Sequence, residues 1–390
     1  MGFFSGRATF SRYRVEGPAP RMFSEEHLNK LAEQAAGRQR LVSADGIEVG
    51  WSAGEHILDL RFELAKNIIN DMLFFSMRVD TLKLPSDMMR AYYAIDLAAL
   101  AKNNPSGFAS AKQKREAKEA ARDRLEQEAK DGRYTKRKNI ELIWDLKSNE
   151  LLFGTTSITQ IDRLLVLFKN TFGFGFEAIT AGRRAYQLAE LHQRTRNVDD
   201  ASPSAFIPGL SPNDIAWIPD EASRDFVGNE FLLWLWFQCN ESGAEIKLAD
   251  NSIATVMIAR SLTLECPRGV SGHETISHEG PTRLPEALRA IQSGKMPRKC
   301  GLTVVRHDVQ YEFAIHAETL AVGSAKIPAP EDEDARARLD ARAQQLRDLI
   351  ETLDLLYDAF GEVRFSAEWV KMLARMQRWL GRDEDRKAAA

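Results

Sequence analysis

Residues 110–156 read SAKQKREAKEAARDRLEQEAKDGRYTKRKNIELIWDLKSNELLFGTT, a charged helix followed by two strands. The helix spans Ser110 to Lys130, and Asp131-Gly132 breaks it. Beyond the break, Ile140–Asp145 alternates as a strand, Ser148-Asn149 turns, and Leu151–Thr155 forms a second strand. Eleven Lys or Arg stand against six acids between Lys112 and Lys138, a local charge of +5. The whole chain carries −3, so the remaining residues sum to −8 (−3 minus +5). At 100° per residue, Lys114, Arg115, Lys118 and Arg122 occupy one sector about 100° wide. Glu116, Glu119, Asp123 and Glu126 form an adjacent acidic sector, and Ala117, Ala120 and Ala121 a smooth third side. Two readings stay open: a local field for a polyanion such as nucleic acid, or a solvated charged helix.

On the N-terminal side, Pro85 disfavours helix at Leu84, and Ser86 can cap a helix from Asp87 to about Lys102. Residues 8–15 alternate as an opening strand, with Phe10, Arg12 and Arg14 on one face and Tyr13 and Val15 on the other. Ser24 caps a helix through Leu28, Leu31 and Ala35 that Gly37 ends. Strands are expected near Glu48–Trp51 and Met72–Val79, with a helix at Ile57–Asn67 between them.

On the C-terminal side, a helix at Ser157–Phe172 carries Ile158, Ile161, Leu164, Leu165 and Phe168 as its apolar stripe. Residues 195–220 look like a long surface connection. A short apolar helix at Asn229–Gln238 precedes strands at 244–248, 252–266, 300–306 and 310–319, with a loop at 267–284. Pro328–Asp334 is the best linker. After it Leu339, Leu346, Leu353 and Phe360 recur every seven residues with Leu349 and Leu356 between them. That stripe suits a subunit interface or a monomer core. A last helix from Ser366 turns Trp369, Leu373, Met376 and Leu380 inward. The pattern defines an α+β protein with an N-terminal region at 1–180, a connecting segment at 181–228, a second α+β region at 229–328 and a helical hairpin at 329–390.

At 44% apolar and 28% charged residues, the chain has the composition of a globular protein with a sizeable core. Cys239, Cys266 and Cys300 form no Cys-x-x-Cys pair, which argues against zinc or a disulfide framework and for a reducing cytoplasm. The longest apolar run, Phe231–Phe237, is too short to span a membrane. His273 and His278, with Glu274 and Glu279, lack the helical spacing of a zinc protease. Gly173-Phe174-Gly175 follows a helix and reads as its C-terminal cap, not as a phosphate loop. No carboxylate grouping marks a nuclease metal site, and Trp234 and Trp236 read as packing. No metal or cofactor pattern, and no catalytic one, is present. The basic segment lacks a groove-reading motif, so phosphate contact without base readout is its expected mode.

Several elements, read in order, resemble the RdgC family of recombination-associated DNA-binding proteins. Gly50-Trp51, Met77-Arg78 and Lys83-Leu84-Pro85-Ser86 precede the basic helix. Ile143-Trp144-Asp145 with Asn149 and then Phe172-Gly173 follow it. Ile291-Gln292-Ser293-Gly294-Lys295 with Lys299 and Leu302, then Leu373 and Leu380-Gly381, complete the series. The resemblance is colinear over most of the chain, with insertions at 195–225, 267–284 and 326–345. It implies horseshoe monomers that close into a ring-shaped homodimer around double-stranded DNA with little sequence preference. It also implies antagonism of RecA-dependent recombination, a nucleoid location and no enzymatic activity. Lys114, Arg115, Lys118 and Arg122 are the first candidates for phosphate contact, and Lys136, Arg137, Lys138, Lys295 and Lys299 the second. Arg133 and Tyr134 fall where the family has a gate-like Arg and Phe, with Tyr in place of Phe. The rival readings are a metal-dependent DNA-processing nuclease and a protein–protein scaffold that does not bind DNA.

Overall fold

The computed structural model describes residues 2–388 apart from 39–46, 103, 105, 106, 209–214, 219, 221, 242, 269–271 and 329–333, with side chains described to residue 381. The N-terminal half runs β1 (Arg7–Val15), α1 (Glu25–Glu33), β2 (Ile47–Ser52), α2 (Leu64–Asn67), β3 (Ile68–Ile69), β4 (Met72–Leu82), α3 (Ser86–Lys102), α4 (Ala111–Ala129), β5 (Thr135–Asp145), β6 (Glu150–Phe153), α5 (Ile161–Phe172) and β7 (Phe176–Ala178). The remainder runs α6 (Ala181–Leu191), α7 (Thr195–Asp199), α8 (Phe226–Glu241), β8 (Glu245–Lys247), β9 (Ile253–Glu265), β10 (Glu274–His278), α9 (Pro285–Gln292), β11 (Met296–Arg306), β12 (Val309–His316), β13 (Val322–Lys326), α10 (Ala335–Arg364) and α11 (Trp369–Ala388). The chain is α+β, and among the described residues every pairing between these strands is antiparallel.

The strands follow the path β10-β9-β11-β12-β13-β1-β6-β5-β4-β2. β1 joins its two halves: Arg7 to Phe10 pair with β13, and Ser11 to Arg14 pair with β6. Alternation along β1 feeds two cores. Phe10 belongs to the larger one, Tyr13 and Val15 to the smaller. The smaller core lies under α1 and α5 and contains Trp51, Phe75, Met77, Trp144 and Phe168. The larger core gathers Ala181, Leu188, Val198 and Phe206 with α8, β9, β11 and the C-terminal helices. Residues 181–228 therefore carry two helices and core side chains, beyond the surface connection expected at 195–220.

α8 is apolar on all sides, as a helix enclosed by protein must be. Its two buried polar residues are held by hydrogen bonds, although Asn229 Oδ1 has no partner among the described residues. Asn229 Nδ2 donates to Pro297 O at 2.8 Å, and the Glu230 carboxylate pairs with Arg364 and accepts from Ser204 N. A Cβ added at Gly228 would lie 1.9 Å from Ala317 O, so the helix sits against backbone that cannot yield as a side-chain tip does. Gly228→Ala is expected to destabilise the fold by about 1–3 kcal/mol, read as a lower midpoint in urea denaturation.

Other expectations are corrected. The helix at Ile57–Asn67 shrinks to Leu64–Asn67 because the buried Asp59 organises residues 55–63 as a loop. Its carboxylate accepts from Glu55 N, Arg61 N and Lys66 Nζ. β10 occupies part of the expected loop at 267–284, pairing with β9 from Glu274 to His278. In α5 the buried stripe is Leu164, Leu167, Phe168 and Thr171, while Ile158 and Leu165 are exposed. Gly173 caps that helix in the left-handed region at φ 87°, as its position suggested. Most of the linker at 328–334 lies outside the described residues. Leu346, Leu349, Leu353, Leu356 and Phe360 of α10 are buried in the chain's own larger core. A monomer thus consumes the stripe that was also a candidate subunit interface. No helix among the described residues is long and apolar enough to cross a membrane.

Candidate nucleic-acid interface

α3 leaves the sheet at the end of β4, and α4 returns to β5, so the pair forms an arm inserted between neighbouring strands. Where the arm meets the sheet, Lys83 N donates to Tyr134 O at 3.1 Å. The helices pack on each other through Ala117, Ala121, Leu125 and Ala129 of α4. Small residues there let the backbones approach, and α3 buries no residue completely. Ala120, expected on the same smooth side, faces solvent.

Polar locks at both ends fix the arm. Near the tip, Ser110 and Gln113 form a capping box, and Gln113 exchanges hydrogen bonds of 2.7 and 3.1 Å with Asn104. Near the base, Tyr92 and Tyr134 donate to the two oxygens of Glu128 at 2.7 and 2.8 Å. Those bonds, Tyr92 first, hold the Glu128 carboxyl below its ordinary pKa. The Arg124 guanidinium lies 4.8 Å from the Tyr92 ring centre and 3.5 Å from Asp96.

These contacts sort the basic residues. Lys114, Arg115, Lys118 and Arg122 are all exposed on α4. Arg122 pairs with Glu126 at 2.7 Å, whereas Lys114, Arg115 and Lys118 make no ion pair among the described residues. Arg133 is exposed but turned back onto Asp131 at 2.5 Å, and that hydrogen-bonded pair raises its pKa. Tyr134 is half-buried and tied to Glu128, so its ring is anchored to the arm. On β5, Arg137 faces Asp80 at 3.6 Å. Lys136 and Lys138 lie on the other face of that strand, exposed and without an ion pair among the described residues. Lys114 and Lys118 stand roughly 18–24 Å along the axis from Lys130, so the free cations form a tip group and a base group.

Lys295 and Lys299 stand apart from this set. Lys295 is 12% exposed and paired with Glu274 at 2.9 Å. Lys299 lies on β11, beside His316 of β12. Burial, with Lys299 and Arg298 nearby, lowers the His316 pKa to about 4. Four strands separate β11 from β5 along the sheet path, so neither lysine joins the arm.

A second polar site was not legible beforehand. Arg12 on β1 is buried, and its guanidinium grips two carboxylates at once. It donates to Glu150 at 3.0 and 3.1 Å and to Asp354 at 2.6 and 2.9 Å. Arg184 adds a contact to Asp354 at 3.1 Å, and Arg347 of α10 reaches Asp145 at 2.7 Å. Glu150, Asp354, Arg184, Arg347 and Asp145 border a cavity of about 450 Å³ between α10 and the sheet. Arg347 and Asp354 within the α10 pattern were the available signal, but their partners are more than 150 residues away in sequence.

No protein-family model matches the chain, and no curated protein matches it. Fold and site together define an antiparallel α+β protein carrying a basic two-helix arm.

Proposed function

We propose that the chain binds double-stranded DNA without reading its sequence, through phosphate contacts from the arm. The observation that carries this reading is the sorting of charge on one inserted unit. Lys114, Arg115 and Lys118 near the tip, and Lys136 and Lys138 at the base, are exposed and unpaired among the described residues. Many neighbouring cations are held by acids. Cations left unneutralised on a protein of net charge −3 concentrate attraction for phosphate in one place. No base-reading motif accompanies them, so position and charge supply the affinity.

The RdgC resemblance extends this reading to a homodimeric ring of horseshoe monomers that encloses duplex and restrains RecA-dependent recombination. Enclosure would let modest contacts give slow dissociation. Exposed Ala91, Ala94, Ile95 and Ala98 on α3 are the apolar surface the arm offers a second copy. The nuclease reading fares worse. Among the described residues the acid-rich metal-capable cluster involves α10, which meets the Met72–Asp145 end of β4 and β5. The arm leaves the opposite end of β4, roughly 33 Å away at the usual rise per residue.

The test is a duplex titration at several salt concentrations, with mass in solution measured with and without a short duplex. Five phosphate contacts give a log–log salt slope of about −4.5, so affinity falls roughly 500-fold between 50 and 200 mM salt. A two-chain mass on DNA is expected. A flat salt dependence or no binding at low salt removes the reading and leaves the scaffold.

A further inference from the structure

At the C-terminal end of α6, three ligand atoms converge from two helical elements. His192 caps α6, while Asp358 and Glu362 stand one turn apart on α10. His192 Nε2 lies 3.4 Å from Glu362 Oε1 and 3.8 Å from Asp358 Oδ1. All three ligand atoms fall within 4.8 Å of one another. A tetrahedral ion with bonds of about 2.0–2.1 Å holds its ligand atoms roughly 3.3–3.4 Å apart. The two imidazole–carboxylate spacings therefore need little or no contraction to meet that geometry.

The Glu362 carboxylate is also oriented from its other side. Arg194 Nη1 donates to the other Glu362 oxygen, Oε2, at 3.0 Å, leaving Oε1 to face the imidazole. Such an outer contact is how proteins orient a ligating carboxylate. Asp358 is half-buried, so its carboxylate is held on the α10 surface facing His192.

We propose that His192, Asp358 and Glu362 bind one divalent transition-metal ion of the zinc class, with water as the fourth ligand. One imidazole nitrogen and two carboxylate oxygens suit zinc or cobalt better than magnesium, which prefers six oxygen ligands. Because the ligands come from separate elements, the ion fastens the end of α6 to α10 in the folded chain only. This assignment is independent of DNA binding.

The purified full-length chain, stripped with chelator, is titrated with Zn²⁺ by calorimetry and with Co²⁺ in the visible spectrum. Saturable binding of one ion per chain is expected, with tetrahedral cobalt bands that zinc displaces and a higher melting temperature. His192→Ala and Glu362→Gln should each weaken zinc binding at least about tenfold. His278→Ala, at an exposed imidazole on β10, should leave it unchanged. Asp358→Asn keeps the side-chain volume and serves if another variant fails to fold, as circular dichroism of the metal-free protein reports. Absence of saturable binding, a weak octahedral cobalt spectrum, or full affinity in the His192→Ala/Glu362→Gln double variant overturns the assignment.

Discussion

Reversing Lys114, Arg115 and Lys118 to Glu should weaken duplex binding by roughly two to three orders of magnitude at low salt. Each lysine or arginine that neutralises a phosphate contributes about −0.9 to the salt slope, so losing three moves it from about −4.5 to about −1.8. The new carboxylates also repel the backbone they once attracted. All three side chains are exposed on α4, so the melting curve should not move. The same reversal at Lys295 and Lys299, which lie four strands away, should change affinity far less. A gel-shift titration decides it. Unchanged affinity in the triple variant would detach DNA binding from the arm, whatever the chain's ancestry.

Arg12→Ala should cost about 3–5 kcal/mol of stability at neutral pH, the largest single loss expected here. The substitution strands Glu150 and Asp354 in a buried site without their shared guanidinium. Burial alone would raise the Asp354 pKa, but the charge and hydrogen bonds of Arg12, helped by Arg184, bring it below the ordinary value. A depressed carboxylate pKa contributes stability above the unfolded-state pKa and loses it as pH falls through the folded value. Without Arg12, desolvation dominates and the Asp354 carboxylate prefers to be protonated. The gap between wild type and variant should therefore narrow on acidification, as urea denaturation at neutral and mildly acidic pH would report. Removing the charges together, with Arg12→Met, Glu150→Gln and Asp354→Asn, should recover much of the loss. A gap that is small at neutral pH or widens in acid would contradict this account.

The two sites differ in how far the sequence revealed them. The arm could be read directly. Helical periodicity placed Lys114, Arg115, Lys118 and Arg122 in one sector, and they are exposed on one face. Periodicity could not say which cations would find acids. Arg133 and Asp131 are two residues apart, yet Arg137 meets Asp80 only because β4 and β5 pair in that register. The His192 cluster is further from view, since Asp358 and Glu362 show an i, i+4 spacing while the imidazole arrives from another element.

Local order along the chain determined the α+β class, the basic helix, the Ile140–Phe153 strand pair and the apolar stripe of α10. Each rests on a side-chain period or a turn residue that acts within a few positions. Only the tertiary structure decided that β1 is shared between two halves of one sheet, that the α10 stripe belongs to the monomer core, and that Arg12 is caged by Glu150 and Asp354. Those outcomes depend on strand partners and buried charges brought together from distant segments. Pairing energy of that kind leaves no period in the sequence.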